Sequence, residues 1–269
     1  MAGENKGMIQ KRSLAKKLGI ARSTLYYRSR KKIEDEKIKN EITEVMESNP
    51  AYGYRRVAAA LKKNCKKILR IMRNNGLKPR LCRRKFGKKR DVGLPVAEYS
   101  NHLKTLQIDK HNIVWAADFT YIHYKDRFLY LATVIDVYGK EIIGYAISDR
   151  HNRYLVKSAV LDAIKKRGKL PQYFHTDQGS EYQSEEHADF LKNLGVTVSM
   201  SRKGSPWENG YQESFYSNFK LELENTNRFE NEGQLIEKIY HQMYYYNNQR
   251  IQSSIGMPPS KHYAIAAKG

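Results

Sequence analysis

Apolar positions change their spacing twice along the chain, and the changes divide it into three stretches. In residues 8–30 the apolar positions are Leu14, Leu18, Ile20 and Leu25. The segment LAKKLGIARSTLYYR (14–28) predicts a helix, a turn at Gly19 and a second helix. Ala15 is small enough to let two helices cross closely, and Ile20, just past the turn, is expected to plug the core between them. In the second stretch, about 33–80, Ile38, Ile42, Val45 and Met46 mark an amphipathic helix ending before Pro50. AYGYRRVAAALKK and NCKKILRIMRNNGL predict two more helices, the last stopped by Gly76.

From about 110 the character changes. IVWAADFTYIHY, RFLYLATVIDVY and KEIIGYAIS are rich in β-branched and aromatic residues, with turn signals at Lys125-Asp126 and Gly139-Lys140. Three strands in a row predict an antiparallel meander. A helix at about 153–167, a strand at 171–176, a helix at about 184–194 and a strand at 196–200 follow. A long helix from about 206 to 224 and a final one at about 231–247 complete the pattern. The order β-β-β-α-β-α-β-α is that of an α/β layer with a mixed sheet flanked by helices, preceded by small all-α modules.

Charge separates the front of the chain from the rest. Residues 1–90 hold 28 of the 49 Lys and Arg but 7 of the 28 Asp and Glu, so they carry the whole net charge of +21. A basic front end on a neutral body is the asymmetry of a nucleic-acid-binding arm. A solvated basic tail is the plainer alternative. The basic residues alternate with apolar positions at helical spacing, which favours binding. A helix-turn-helix over 14–28 exposes Arg22, Ser23, Thr24, Tyr26 and Arg28 at the start of its second helix, where such a motif reads the major groove. The run RLCRRKFGKKR (80–90) is expected to be an extended linker along a phosphate backbone, or simply a disordered tether. Two cysteines, Cys65 and Cys82, exclude a disulfide framework and a zinc module built from cysteine pairs. With no signal segment and no long apolar run, the pattern predicts a soluble, cytoplasmic protein without a membrane partner.

Three carboxylates stand out in the third stretch. Asp118 lies mid-strand among Trp115, Phe119 and Tyr121, where burial is costly unless it is paired or metal-bound. Asp177 directly follows the fourth strand. Glu213 lies on the long helix, about 200° around from Phe215 at 100° per residue, on the face of Ser217, Lys220 and Glu224. Trp207, Tyr211, Phe215 and Phe219 are expected to form that helix's buried stripe. Three converging carboxylates repel one another unless cations join them, and oxygen-only donors select Mg²⁺ or Mn²⁺. Two such ions suit in-line displacement at a phosphodiester. Glu208 rivals Glu213 but fits the macrodipole at the helix start. Asp126 and Asp136 are expected to be caps or partners of basic residues, and Glu181 a supporting group.

The segments WAADFTYI, HTDQGSEY and SRKGSPWENGYQESF…FKLE resemble the integrase-type DDE transposases, specifically the OrfB proteins of the insertion sequence three family. The spacing agrees: 58 residues lie between Asp118 and Asp177, and 35 between Asp177 and Glu213. LGIARSTLYYR, NPAYGYRRVAAAL…KKILRIMRNNGL and YYYNNQRIQSSIGMPPSKHY extend the likeness over nearly the whole chain. The link between Leu61 and Lys66 is shorter than is usual in the family. The resemblance implies a ribonuclease H-like core with Asp118, Asp177 and Glu213 as catalytic metal ligands. It also implies Lys220 as a DNA contact near the reacting end, with Arg55 and Arg56 as further DNA contacts. Asn209, Gly210, His175 and Arg250 also match, His175 being read as structural.

The implied organisation is a helix-turn-helix-like segment (1–32), a second basic helical module (33–80) and a basic linker (81–109). A catalytic core (110–225) and a C-terminal helix and tail completing it (226–269) follow. The implied partners are double-stranded DNA at element ends and target, an upstream-frame OrfA-type protein or fusion, and further copies of the chain on DNA. Bacterial, nucleoid-associated action in the cytoplasm goes with them. The implied activity is metal-dependent strand cleavage and strand transfer. A non-catalytic or partner-dependent DNA-binding regulator and a nuclease acting on hybrid duplexes are the alternatives.

Overall fold

The structure, a computed structural model, describes residues 11–25, 30–81, 99–177, 179, 185–202 and 206–268. Its centre is one mixed sheet built from β1 (Val114–Tyr124), β2 (Arg127–Asp136), β3 (Glu141–Ser148), β4 (Tyr173–Thr176) and β5 (Thr197–Met200). The strand order is β3-β2-β1-β4-β5. The first three strands are antiparallel, and Lys125 and Lys140 take φ of 50° and 56° in the tight turns between them. β4 and β5 run parallel to β1, so each is reached through a crossover helix. These crossovers are α5 (Arg153–Arg167) and α6 (Glu185–Asn193).

Period-two alternation sends the strand side chains into two cores. Trp115, Ala117, Val134, Ile143 and Phe174 pack under α5 and α6. Val114, Ala116, Ile122, Leu131 and Ile135 pack under α7 (Gly210–Leu223) and α8 (Glu232–Asn248). Gly144 explains how closely α5 lies on β3. A Cβ there would stand 2.2 Å from the Ala159 carbonyl oxygen and 2.5 Å from the Ala163 nitrogen.

The front of the chain forms α1 (Lys11–Lys17), α2 (Arg30–Ser48), α3 (Tyr54–Leu61) and α4 (Cys65–Asn74). The last three share a core of Ile38, Ile42, Tyr52, Val57, Ile68, Ile71 and Met72. The short link is a complete turn: Lys62 ends α3 with φ 51°, and Asn64 caps α4 by accepting from the Lys66 and Lys67 amides. The helical module is tied to the sheet domain at one edge. Tyr52 hydroxyl accepts from the Ile251 amide (2.7 Å), Arg56 Nε donates to the Ile251 carbonyl (3.0 Å), and Tyr245 hydroxyl donates to Asn49 (2.7 Å). Beside this edge Arg250, fully buried, holds Glu222 at 2.7 Å.

Two expectations fail at the extremities. After Gly19 the chain makes a short 3-10 turn, Arg22–Leu25, instead of entering a second helix at that point. Ile20 is 39% exposed and Leu18 57%, so Ile20 is no core plug. Among the described residues, the seven-residue α1 and one tight turn offer too little apolar surface to enclose them. At the other end α9 (Pro259–Ala266) was not foreseen, although Pro259 at its first turn is a helix-start signal. Among the described residues no helix is long and apolar enough to cross a membrane.

Candidate active site

Strand register places the first two carboxylates. Val114, Trp115 and Ala116 of β1 pair with Tyr173, Phe174 and His175 of β4, a constant offset of 59 positions. Asp118 lies two residues past the last of these pairs and Asp177 one residue past β4, so both leave the same end of adjacent strands, and the charge of Asp177 is felt at Asp118. Alternation from Val114 and Ala116 turns Asp118 toward α7. Asp177 follows the last residue of β4, and its Oδ1 accepts from the Gly179 amide at 3.0 Å.

α7 brings the third carboxylate and is fixed to β1 by polar side chains. Asn209 Nδ2 donates to the Ala117 carbonyl (3.3 Å), Gln212 Nε2 to Ala116 (2.6 Å), and Tyr216 hydroxyl to Asp118 (2.6 Å). Positions 209, 212 and 216 lie on one helix face, so three successive β1 carbonyls are gripped by one stripe. Thr133, which pairs with Asp118 across β2, lies 2.9 Å from Gln212 Oε1 and 2.8 Å from Tyr216 hydroxyl. Sequence reasoning missed this network because it looked for an apolar stripe. Phe215 and Phe219 are buried as expected, but Tyr211 only partly, and the Trp207 side chain lies outside the described residues.

Charge crowds at Asp118. Burial, then the negative charges of Asp177 and Glu213, push its carboxyl up to about 8, opposed by the Phe119 amide (2.8 Å from Oδ1) and by Lys220. Lys220 is drawn below its ordinary value by partial burial, with Asp118 opposing. Glu213 itself is exposed. The three carboxylates act on one another electrostatically, yet among the described residues no three His, Cys, Asp or Glu side chains are clustered as a ready-made metal cage.

The chain resembles known proteins over most of its length. The integrase core domain family matches residues 109–206, and a second integrase core family matches 194–259. The chain is 32% identical to the transposase for insertion sequence element IS904 of Lactococcus lactis, covering 87% of this chain and 96% of that one. The chain belongs to the insertion-sequence transposases with an integrase core. The putative transposase InsK for insertion sequence element IS150 of Escherichia coli is 30% identical, over 90% of this chain and 89% of that one. A simian T-cell lymphotropic virus intasome, solved in complex with a PP2A regulatory subunit, shares the fold at TM-score 0.50 and 18% identity. That match covers 74% of this chain and 66% of the viral one. The core is accordingly the ribonuclease H-like fold of the integrases. An HTH-like domain family matches residues 32–86, over the second helical module.

The transposase's other sequence-predicted residues are dispersed. Ser23 and Thr24 are exposed in the 3-10 turn, the Arg22 side chain is outside the described residues, and so are Tyr26 and Arg28. Arg55 is exposed on α3, its Nε donating to Tyr54 hydroxyl at 3.2 Å, whereas Arg56 is held at the module edge by Ile251. Glu208 is a clamp: its carboxylate takes Lys104 (2.6 Å), Asn101 (2.8 Å) and the Arg202 amide (2.8 Å). These contacts hold its pKa below the ordinary value against the opposing effect of burial. Asp136 caps the β2–β3 turn through the Tyr138 amide and accepts from Asn112. His175 is fully buried beside Ser199, and burial pushes it down to about 4, leaving it neutral. A cavity of about 730 Å³ lined by Lys104, Lys140, Glu208, Tyr211 and Ser214 contains none of the three carboxylates. Its α7 residues Tyr211, Ser214 and Asn218 lie roughly 100–160° around the helix from Glu213 at 100° per residue, so the cavity opens on a different face of α7.

Proposed function

We propose that this transposase cuts DNA at the ends of an insertion sequence and joins the freed 3′ ends to target DNA, using Asp118, Asp177 and Glu213. What supports this reading is that the charges of Asp177 and Glu213 both act on Asp118, two residues past the last β1–β4 pair. A carboxyl pushed up to about 8 by burial and then by negative neighbours is one a cation would stabilise, so the donor set fits two Mg²⁺ or Mn²⁺. Such ions, when bound, activate a water or 3′-hydroxyl and offset charge on the leaving oxygen.

The chain's own groups supply the positioning. Asp118 is oriented by the Phe119 amide, Asp177 by the Gly179 amide, and α7 is held in phase by Asn209, Gln212 and Tyr216. Lys220, on the Glu213 side of α7, is suited to a phosphate near the reacting end. The basic front, with Ser23, Thr24 and Arg55 exposed, would bind double-stranded element ends and target non-specifically through phosphates and more selectively through Arg22, Tyr26 and Arg28. In this reading the chain acts in the bacterial cytoplasm at the nucleoid, as a multimer on paired ends, with an upstream-frame OrfA-type partner or fusion.

The test is nicking and joining of labelled element-end DNA with Mg²⁺ or Mn²⁺. Wild type should cut and join, and Glu213→Gln should lose at least about a hundredfold in rate while still binding DNA. Activity that survives Glu213→Gln but is lost in Glu208→Gln would overturn the site. A wild type that binds ends but never cuts would overturn the reaction.

A further inference from the structure

The α5 side of the sheet is covered over Trp115, Ala117 and Val134 but opens beyond Phe119. Alternation puts Phe119, Tyr121 and His123 of β1 on this side, and the β2 register sets Tyr130 and Phe128 opposite Tyr121 and His123. Tyr121 is 58% exposed and Phe128 44%. The rings touch in two groups. His151 lies 4.2 Å from Phe119 and is stacked on Tyr130 at 5.2 Å, measured between ring centroids. Phe128 meets Tyr121 edge-on at 5.4 Å and His123 at 5.3 Å. Contiguous exposed aromatic surface of this kind marks a binding face.

Two observations narrow what binds there. The face starts one residue past Asp118, where β4 has ended and β1 has no partner on that side among the described residues. Lys220, which also feels the charge of Asp118, extends its ammonium over the Tyr121 ring, 4.4 Å from the centroid. An aromatic ring beside a cation, at the edge of a phosphodiester-processing site, matches the two halves of one nucleotide: a base to stack and a phosphate to neutralise. Bases inside a duplex already stack on one another, so only an unpaired base can present its face.

We propose that Tyr121, flanked by Phe128 and His123 and crossed by Lys220, is the seat for an unpaired base of the DNA strand passing the active site. The base stacks on the aromatic face while Lys220 meets the adjoining phosphate. The proposal rests on the DNA-cutting reading above, but its test requires neither metal nor cutting.

Full-length chain and its Tyr121→Ala, Tyr121→Phe and Lys220→Gln variants are titrated, in EDTA, with fluorescein-labelled oligothymidylate and with a blunt duplex. Tyr121→Ala should weaken oligothymidylate binding about tenfold and leave the duplex unchanged, and Tyr121→Phe should bind as wild type. Against salt, Tyr121→Ala should keep the wild-type slope, while Lys220→Gln should lower it by about 0.7 for one lost phosphate contact. An oligothymidylate carrying 5-iodouracil should photocrosslink to Tyr121 or Phe128. Equal loss on both probes, loss in Tyr121→Phe, or no loss in Tyr121→Ala would each overturn the seat. If wild type cuts element ends but these binding results fail, the seat alone falls. If it binds as expected but never cuts, the reaction falls instead.

Discussion

Replacing Asp118 by Asn should stabilise the metal-free protein, against the rule that substitutions in a buried site destabilise. The amide keeps the oxygen that accepts from the Phe119 amide at 2.8 Å and removes the charge that crowds Asp177 and Glu213. With the carboxyl at about 8 when folded and at 3.8 when exposed, the two states bind protons differently across that window. Below pH 3.8 both are protonated and the charge costs nothing. Between the two values the unfolded chain ionises first, so wild-type stability falls as pH rises, by about 1.4 kcal/mol per pH unit. At pH 7 the accumulated cost is about 4 kcal/mol as an upper limit, and solvent screening at this half-buried site brings it to about 2–4 kcal/mol. For a domain of this size that is a melting shift of about 4–16 °C. Thermal unfolding in EDTA at pH 5 and pH 8 measures it: the advantage of Asp118→Asn should be small at pH 5 and largest at pH 8. Added Mg²⁺ should stabilise wild type and leave the variant nearly unmoved. A variant less stable than wild type at pH 8, or an advantage that does not change with pH, would refute the account of crowded charge.

Gly144→Val should cost more than about 3 kcal/mol or abolish soluble expression, because its Cβ would lie 2.2 Å from the Ala159 carbonyl. Gly53→Ala, whose added atom meets nothing within 4 Å, should be tolerated, and urea unfolding of the pair makes the comparison. Arg250→Met strands the buried Glu222 carboxylate and should cost about 3–5 kcal/mol in the same assay. Adding Glu222→Leu to it should recover most of that loss; if it recovers none, the pair is not what Arg250 contributes.

The parts of the fold legible in the sequence are those where one local rule decides. Alternation of apolar residues and short turns gave the three-strand meander, and α5 fell where its periodic segment did, between the Asn152 cap and Gly168. The failures came where local pattern and available burial disagree. Leu18 and Ile20 look like core residues by type, but among the described residues a short helix and a turn cannot enclose them. Arg250, which the sequence marks only by its match to the family, is fully buried, because Glu222 supplies the charge that makes its burial tolerable. Nothing local to either residue announces the other, 28 positions away.

The same division runs through the candidate site. An offset of 59 positions from Asp118 to Asp177 is only a number until Val114 is known to pair with Tyr173; it then equals the register offset, and both carboxylates leave the same end of adjacent strands. Glu213 depends on a longer chain of causes. Its helix phase was readable, but phase sets direction only relative to an axis, and that axis is fixed by Asn209, Gln212 and Tyr216 gripping the carbonyls of Ala116, Ala117 and Asp118. Each of those side chains satisfies a backbone carbonyl, so apolar packing alone could not replace them without leaving buried acceptors unpaired. The carboxylates proposed as reacting groups in this transposase are therefore the legible part of the candidate site. The less legible part is the polar stripe that converts a helix packed on a sheet into one held at a set height and rotation above Asp118.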